Sequence, residues 1–151
     1  VSMQTGVADT PGGDISLANA SIDTRGVQPA EGGAVSLRSG RVSLRGTSIR
    51  SGAGDVSVIG SNANDNGVAL LDEPSDSLVN RIETTTGDVV IRGRASGIDT
   101  EGYSSGVQLG SRSSIASSGG GTIEVTGSHA GRGQECGFWR GRAMRSAARA
   151  T

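Results

Sequence analysis

The sequence predicts an all-β fold, a parallel solenoid of about five to six coils, and three observations carry the prediction. Of 151 residues, 64 are Gly, Ser, Thr or Asn, while Phe, Trp and Tyr together supply three, too few rings for an aromatic-centred core. Val and Ile outnumber Leu by 22 to 7, the balance of strands, whose pleated surface suits β-branched side chains. One short phrase also recurs five times along the chain, the mark of a repeat architecture. Leu, Ile, Val and Phe reach only 30 residues, close to the composition of a disordered chain, but disorder also takes high net charge, and the formal net charge is −1.

The recurring phrase is Gly, one residue, a β-branched residue, a free position and an aliphatic. It reads Gly13-Asp-Ile-Ser-Leu17, Gly33-Ala-Val-Ser-Leu37, Gly54-Asp-Val-Ser-Val58, Gly87-Asp-Val-Val-Ile91 and Gly121-Thr-Ile-Glu-Val125, with starting glycines 20, 21, 33 and 34 residues apart. A second phrase is an isolated Ile followed by small polar residues and Gly: Ser21-Ile-Asp-Thr-Arg-Gly26, Ser48-Ile-Arg-Ser-Gly52, Arg81-Ile-Glu-Thr-Thr-Thr-Gly87, Gly97-Ile-Asp-Thr-Glu-Gly102 and Ser114-Ile-Ala-Ser-Ser-Gly119. The third is Gly67-Val-Ala-Leu70 and Gly106-Val-Gln-Leu109, with Gly40-Arg-Val-Ser-Leu44 as a looser cousin. Three phrases per long period predict three short strands per coil. The spacing leaves open whether the short and long periods are both whole coils.

Each phrase alternates aliphatic and polar residues, the period of a half-buried strand. Between them lie Gly, Asn and Ser, which turn the chain sharply. Strands of four or five residues are unstable alone, so each must pair with its equivalent one coil away. Stacking then places Ile15, Ile22, Val35, Val56, Val89, Ile91, Val107, Ile115, Ile123 and Val125 in one narrow interior. An antiparallel sandwich also uses many short strands, but hairpin dipeptides are scarce: Asn66-Gly67 is the sole Asn-Gly and Asp-Gly does not occur. Tandem Gly-Gly-x-Gly-x-Asp is absent, against a calcium-binding β-roll.

All 14 cationic residues are Arg, and they are unevenly spread. Residues 1–131 hold 9 Arg against 14 acids, and residues 132–151 hold 5 Arg against one acid. The body should therefore repel nucleic acid. The single Cys136 closes no intrachain disulfide, and no run of about 18 apolar residues exists to span a membrane. The chain opens on Val with no charged-then-apolar leader, read here as a slice of something longer.

Residues 12–17 (Gly-Gly-Asp-Ile-Ser-Leu), 87–93 (Gly-Asp-Val-Val-Ile-Arg-Gly), 105–109 (Ser-Gly-Val-Gln-Leu) and 114–127 (Ser-Ile-Ala-Ser-Ser-Gly-Gly-Gly-Thr-Ile-Glu-Val-Thr-Gly) resemble filamentous haemagglutinin-type repeats. Such repeats occur in bacterial exoproteins of two-partner secretion systems and in autotransporter passengers. The resemblance covers about residues 12–131. It implies a right-handed parallel β-helix forming a stalk on a Gram-negative cell surface, with adhesion as its role. An outer-membrane transporter would be the partner during secretion, and host or neighbouring-cell glycans or proteins the partners afterwards. The family's secretion domain carries Asn-Pro-Asn motifs, and no Asn-Pro pair occurs in the chain.

Val68 and Ile82 are 14 positions apart, while the matching Val107 and Ile115 are 8 apart, so Asp72-Glu-Pro-Ser-Asp-Ser77 reads as an insertion. As a loop on a regular shaft it is the expected recognition feature. Asp72, Glu73 and Asp76 read as a solvated protrusion and not as metal ligands. Asp14, Asp55 and Asp88 occupy the same place in three copies of the first phrase. They read as turn acids bonding nearby backbone N–H groups. The competing use of such an acid row is catalysis by a polysaccharide lyase or hydrolase, but Tyr103 is the sole aromatic in the repeat body to platform a sugar. His129 has no nucleophile motif beside it, Cys136 lies seven residues away, and an exposed, irregular setting is expected for both. None of the five Arg-Gly pairs is followed by Asp.

Residues 132–151 break the pattern, holding the only Phe, Trp and Cys and the helix-favouring run Arg142-Ala-Met-Arg-Ser-Ala-Ala-Arg-Ala150. The expected tail is irregular or helical: a cap, a basic contact segment or a translation junction, with the junction favoured. Together these readings predict a non-catalytic stalk segment of a secreted or surface adhesin, with no cofactor.

Overall fold

The computed structural model describes residues 1–7, 10–28, 31–63, 65–72, 78–96, 104–130 and 138–140. These contain strands and no helix. A first circuit of the chain holds β1 (Ser2–Gln4), the two-residue β2 (Gly6–Val7) and β3 (Thr10–Pro11), then β4 (Asp14–Ala18) and β5 (Ser21–Asp23). The second holds β6 (Val35–Ser39), β7 (Arg41–Arg45) and β8 (Ser48–Ser51). The third holds β9 (Val56–Asn62), β10 (Val68–Leu71) and β11 (Asn80–Thr84), and the fourth β12 (Val89–Ala95), β13 (Val107–Leu109) and β14 (Ser113–Ser117). Two further strands, β15 (Ile123–His129) and β16 (Phe138–Arg140), follow.

These strands form three parallel sheets. The first runs β1-β6-β9-β12-β15, the second β4-β7-β10-β13-β16 and the third β5-β8-β11-β14. The chain thus visits the three sheets in one cyclic order and returns to each one strand further along. Residues 89–95 pair parallel with 123–129, which a sandwich of hairpins would have made antiparallel. Among the described residues the antiparallel pairings are confined to β2 with β3 and an isolated Arg25–Gly32 bridge.

Register settles the question of the two periods. Val35 pairs with Val56 and Val56 with Val89, so a short and a long period are each one whole circuit. The turns absorb most of the difference: 1 residue connects β6 to β7 and 5 connect β9 to β10, while 2 connect β7 to β8 and 8 connect β10 to β11. Register also corrects two readings. Gly13–Leu17 is not a copy of the first phrase in space, because Ile15 and Leu17 pair with Val42 and Leu44 on the second sheet. Its interval of 20 residues is therefore not a coil. The described residues make four circuits and two strands of a fifth, short of the five to six expected from phrase counting.

The interior is built from in-register rows. The third sheet contributes Ile22-Ile49-Ile82-Ile115. The second contributes Ile15-Val42-Val68-Val107 and Leu17-Leu44-Leu70-Leu109, and the first Val35-Val56-Val89-Ile123 and Leu37-Val58-Ile91-Val125. Residues in the middle of a row are sealed, while Ile123 in β15 is 38 % exposed, since among the described residues no strand pairs with the far edge of β15. Of the ten positions expected inside, Ile22 and Val125 are partly buried and Ile123 is exposed.

A row of hydroxyls closes the turn from the third sheet back to the first. Thr24 Oγ1 donates to Gly33 O (2.5 Å), Ser51 Oγ to Gly54 O (2.6 Å) and Thr84 Oγ1 to Gly87 O (2.6 Å). Ser51 and Thr84 are buried, so each hydroxyl satisfies itself and a turn carbonyl where water is excluded. At the turn into the third sheet, buried Asn80 does the same, accepting from Thr47 N and donating to Leu71 O.

At Gly54, Gly87 and Gly121 the glycine that opens the first phrase is required by the neighbouring circuit. A Cβ on Gly87 would lie 2.3 Å from Gly54 O, and one on Gly121 2.1 Å from Gly87 O. On Gly33 the nearest atom would be the Thr24 side chain at 3.8 Å, an ordinary contact. The same substitution should therefore have opposite outcomes at equivalent positions. Gly87→Ala is expected to destabilise by at least about 2 kcal/mol. Gly33→Ala is expected to lie between neutral and about 1 kcal/mol stabilising. Urea unfolding midpoints check the pair, and equal midpoints would contradict the stacking.

Candidate functional site

The acids singled out from sequence separate in space. Asp55 and Asp88 sit at successive turns into the first sheet, and each reaches the next circuit: Asp55 Oδ1 accepts Asp88 N (2.8 Å) and Asp88 Oδ1 accepts Thr122 N (2.7 Å). The backbone N–H groups they bond belong to the neighbouring circuit. Asp14 is not part of this row. It begins β4 and pairs in register with Arg41 on the second sheet, because its phrase belongs to that face. The Thr122 N–H and side chain hold the Asp88 carboxyl below its ordinary range.

Asp72 is likewise engaged in linking circuits. Its carboxylate accepts Ser111 N (3.0 Å), Ser111 Oγ (2.8 Å) and Arg112 N (3.0 Å). Partial burial pushes its pKa up, but these donors, the Arg112 N–H first among them, outweigh that and hold it below the ordinary value. Asp72 therefore ties down the root of the insertion, while Glu73 and Asp76 lie outside the described residues. So do Tyr103, Cys136 and the Ala/Arg run 142–150. Among the described residues no three of His, Cys, Asp and Glu come together as a metal-binding group.

His129 corrects its expectation. It is the last residue of strand β15, half-buried, with its Nε2 3.0 Å from the Oγ of buried Ser104. No spacing rule pairs residues 25 apart on either side of a turn, so this contact was illegible in the sequence. Of the tail, Phe138–Arg140 pairs parallel with Val107–Leu109. This is a strand at a position where an irregular or helical segment was expected.

A row of charged residues lies on the outer face of the third sheet. There the residue after each interior Ile forms the row Asp23, Arg50, Glu83, Ala116. Arg25 pairs with Asp23 through two guanidinium nitrogens (Nε–Oδ1 2.9 Å, Nη2–Oδ2 2.5 Å). That bond holds the Asp23 carboxyl down at about 2. Glu83 stands between two cations, 3.4 Å from Arg50 Nε and 3.5 Å from Arg81 Nε. Arg50 Nε donates no hydrogen bond. Arg25, Arg50, Glu83, Thr85, Ala116 and Ser118 line a shallow groove of about 290 Å³ along this row. Aligning the five copies of the second phrase gives Ile-Asp, Ile-Arg, Ile-Glu, Ile-Asp and Ile-Ala; register selects the first, second, third and fifth for this row, and Ile98-Asp99 lies outside the described residues.

The depressed carboxyls make stability pH-dependent. A carboxyl whose folded pKa lies below its unfolded value of about 3.9 stabilises the fold above that value and loses the contribution as pH falls through the folded pKa. Asp72→Asn is expected to lower the urea midpoint at pH 7. It should also make the decline below about pH 4 shallower than in the unaltered chain. Parallel declines in the two proteins would show that the Asp72 carboxylate does not bind its donors preferentially when charged.

Comparison of the chain with protein-family models, with curated proteins and with solved structures finds no match.

Proposed function

We propose that this chain is a non-catalytic stalk segment of a large secreted or surface-exposed adhesin of a Gram-negative bacterium, folded as a right-handed parallel β-helix. The observation that carries the reading is the in-register continuation of the same interior rows through successive circuits, with most of the difference in length taken up by turns. Such a body extends by adding circuits and presents variable turns at its sides. The hand follows from strand twist, which makes parallel crossovers within a sheet right-handed in about 98% of cases. The resemblance to filamentous haemagglutinin-type repeats supplies the setting. Partners would be glycans or proteins of host or neighbouring cells, with an outer-membrane transporter acting during export.

A second reading is a polysaccharide lyase or hydrolase. The observation that favours it is the charged groove, where Glu83 lies between Arg50 and Arg81. The acid row first considered for catalysis is a poor substitute, because the Asp55 and Asp88 carboxylates accept backbone N–H groups.

Antibodies raised against this chain are expected to label intact cells of the source bacterium, and the purified chain is expected to release no product from polygalacturonate. Labelling only after permeabilisation would overturn the stalk reading. Product release abolished by Glu83→Gln would replace it with the enzyme.

A further inference from the structure

We propose that the groove on the third sheet is a binding site for a saccharide bearing a carboxylate or sulfate, gripped chiefly by Arg50. The site does not depend on the stalk reading, since it is defined by one face of the fold.

The charge balance of the row points to an anion. Three guanidinium groups, Arg25, Arg50 and Arg81, face two carboxylates, Asp23 and Glu83. The Asp23–Arg25 pair is close and bidentate, whereas Glu83 is divided between Arg50 and Arg81 at 3.4 and 3.5 Å. One cation is left in excess. Its planar fork matches a carboxylate or sulfate with two parallel N–H···O bonds, stronger than the longer contacts it now makes. Exposed ion pairs contribute only about 0–1 kcal/mol, so exchanging Glu83 for a ligand oxyanion costs little.

The remaining lining selects what carries the oxyanion. Thr85 and Ser118 offer hydroxyls, and Ala116 is the lone apolar side chain in a groove of about 290 Å³. This volume is at the lower limit of small-molecule sites, ~300 Å³, and its polar wall suits a ring dense in hydroxyls. A long polyanion such as nucleic acid is disfavoured, because residues 1–131 carry 14 acids against 9 Arg. The groove is a local cationic spot on a repelling body.

Titration by NMR against glucuronate, glucose 6-sulfate, glucose and inorganic sulfate tests the proposal. Glucuronate and glucose 6-sulfate are expected to shift the amide signals of residues 50, 83–85 and 116–118, and glucose to leave them unmoved. Arg50→Gln should weaken glucuronate at least tenfold. Arg92→Gln, which breaks the Arg92–Glu124 pair on the first sheet, should leave it unchanged. Glu83→Gln should tighten binding, an opposite sign that loss of folding could not mimic. Glucose binding as tightly as glucuronate, no binding by either acidic sugar, or full affinity in Arg50→Gln would each overturn the site. Inorganic sulfate binding as tightly as glucuronate would assign the groove to small anions and overturn its assignment to a saccharide.

Discussion

One constraint governs this molecule: the backbone segments that recur from circuit to circuit, several glycine turns included, must lie one strand spacing, about 4.8 Å, from their equivalents in the next. Strands satisfy it with parallel hydrogen bonds. The turns satisfy it only if side chains get out of the way, so Gly54, Gly87 and Gly121 stack with no room for a Cβ. The same closeness lets Asp55 and Asp88 reach a backbone N–H of the following circuit. The composition that looked too poor to fold follows from this, because each circuit shares its few aliphatics with two neighbours.

The constraint also divides the residues by task. Inward positions form rows in which Val56, Ile82, Val89 and their neighbours are fully sealed, each worth roughly 1.5–3 kcal/mol by burial. Corner hydroxyls and Asn80 satisfy the carbonyls and N–H groups that burial would otherwise strand. Outward positions carry ion pairs of about 0–1 kcal/mol. The outer face is thus where charge can change with little effect on folding.

How far the fold was legible follows from which features repeat. Periodicity two within phrases and recurrence between them gave the strands, their parallel pairing and the Ile and Val rows. It failed where one phrase served two faces: Gly13-Asp-Ile-Ser-Leu17 looks like a first-sheet strand and lies on the second, since a Gly-x-β-branched-x-aliphatic pattern satisfies either face equally. The connection from β10 to β11 is longer than that from β13 to β14, and at its root Asp72 is exposed yet also binds Ser111 and Arg112. Sequence spacing locates a turn without saying which circuit it touches. The contact of Ser104 with His129 is of the same kind, as both sit where neighbouring turns meet.

The groove stands apart from the rows of like residues in the three parallel sheets. A row of like residues, such as Ile22-Ile49-Ile82-Ile115, is explained by repetition, and so are Asp55 and Asp88, whose turn chemistry recurs. The row beside the Ile row behaves differently: it reads Asp23, Arg50, Glu83, Ala116, changing sign at each of its first two steps and losing charge at the third. Packing does not demand that order, because outward charges hold little of the stability. Alternation does bring opposite charges to neighbouring strands, which explains the first two steps as mutual compensation between circuits. It does not explain Arg25 and Arg81, which add a second and third cation beside two acids. That excess is the part of the surface left over once the repeat has been satisfied, and it is there that recognition chemistry has room to act.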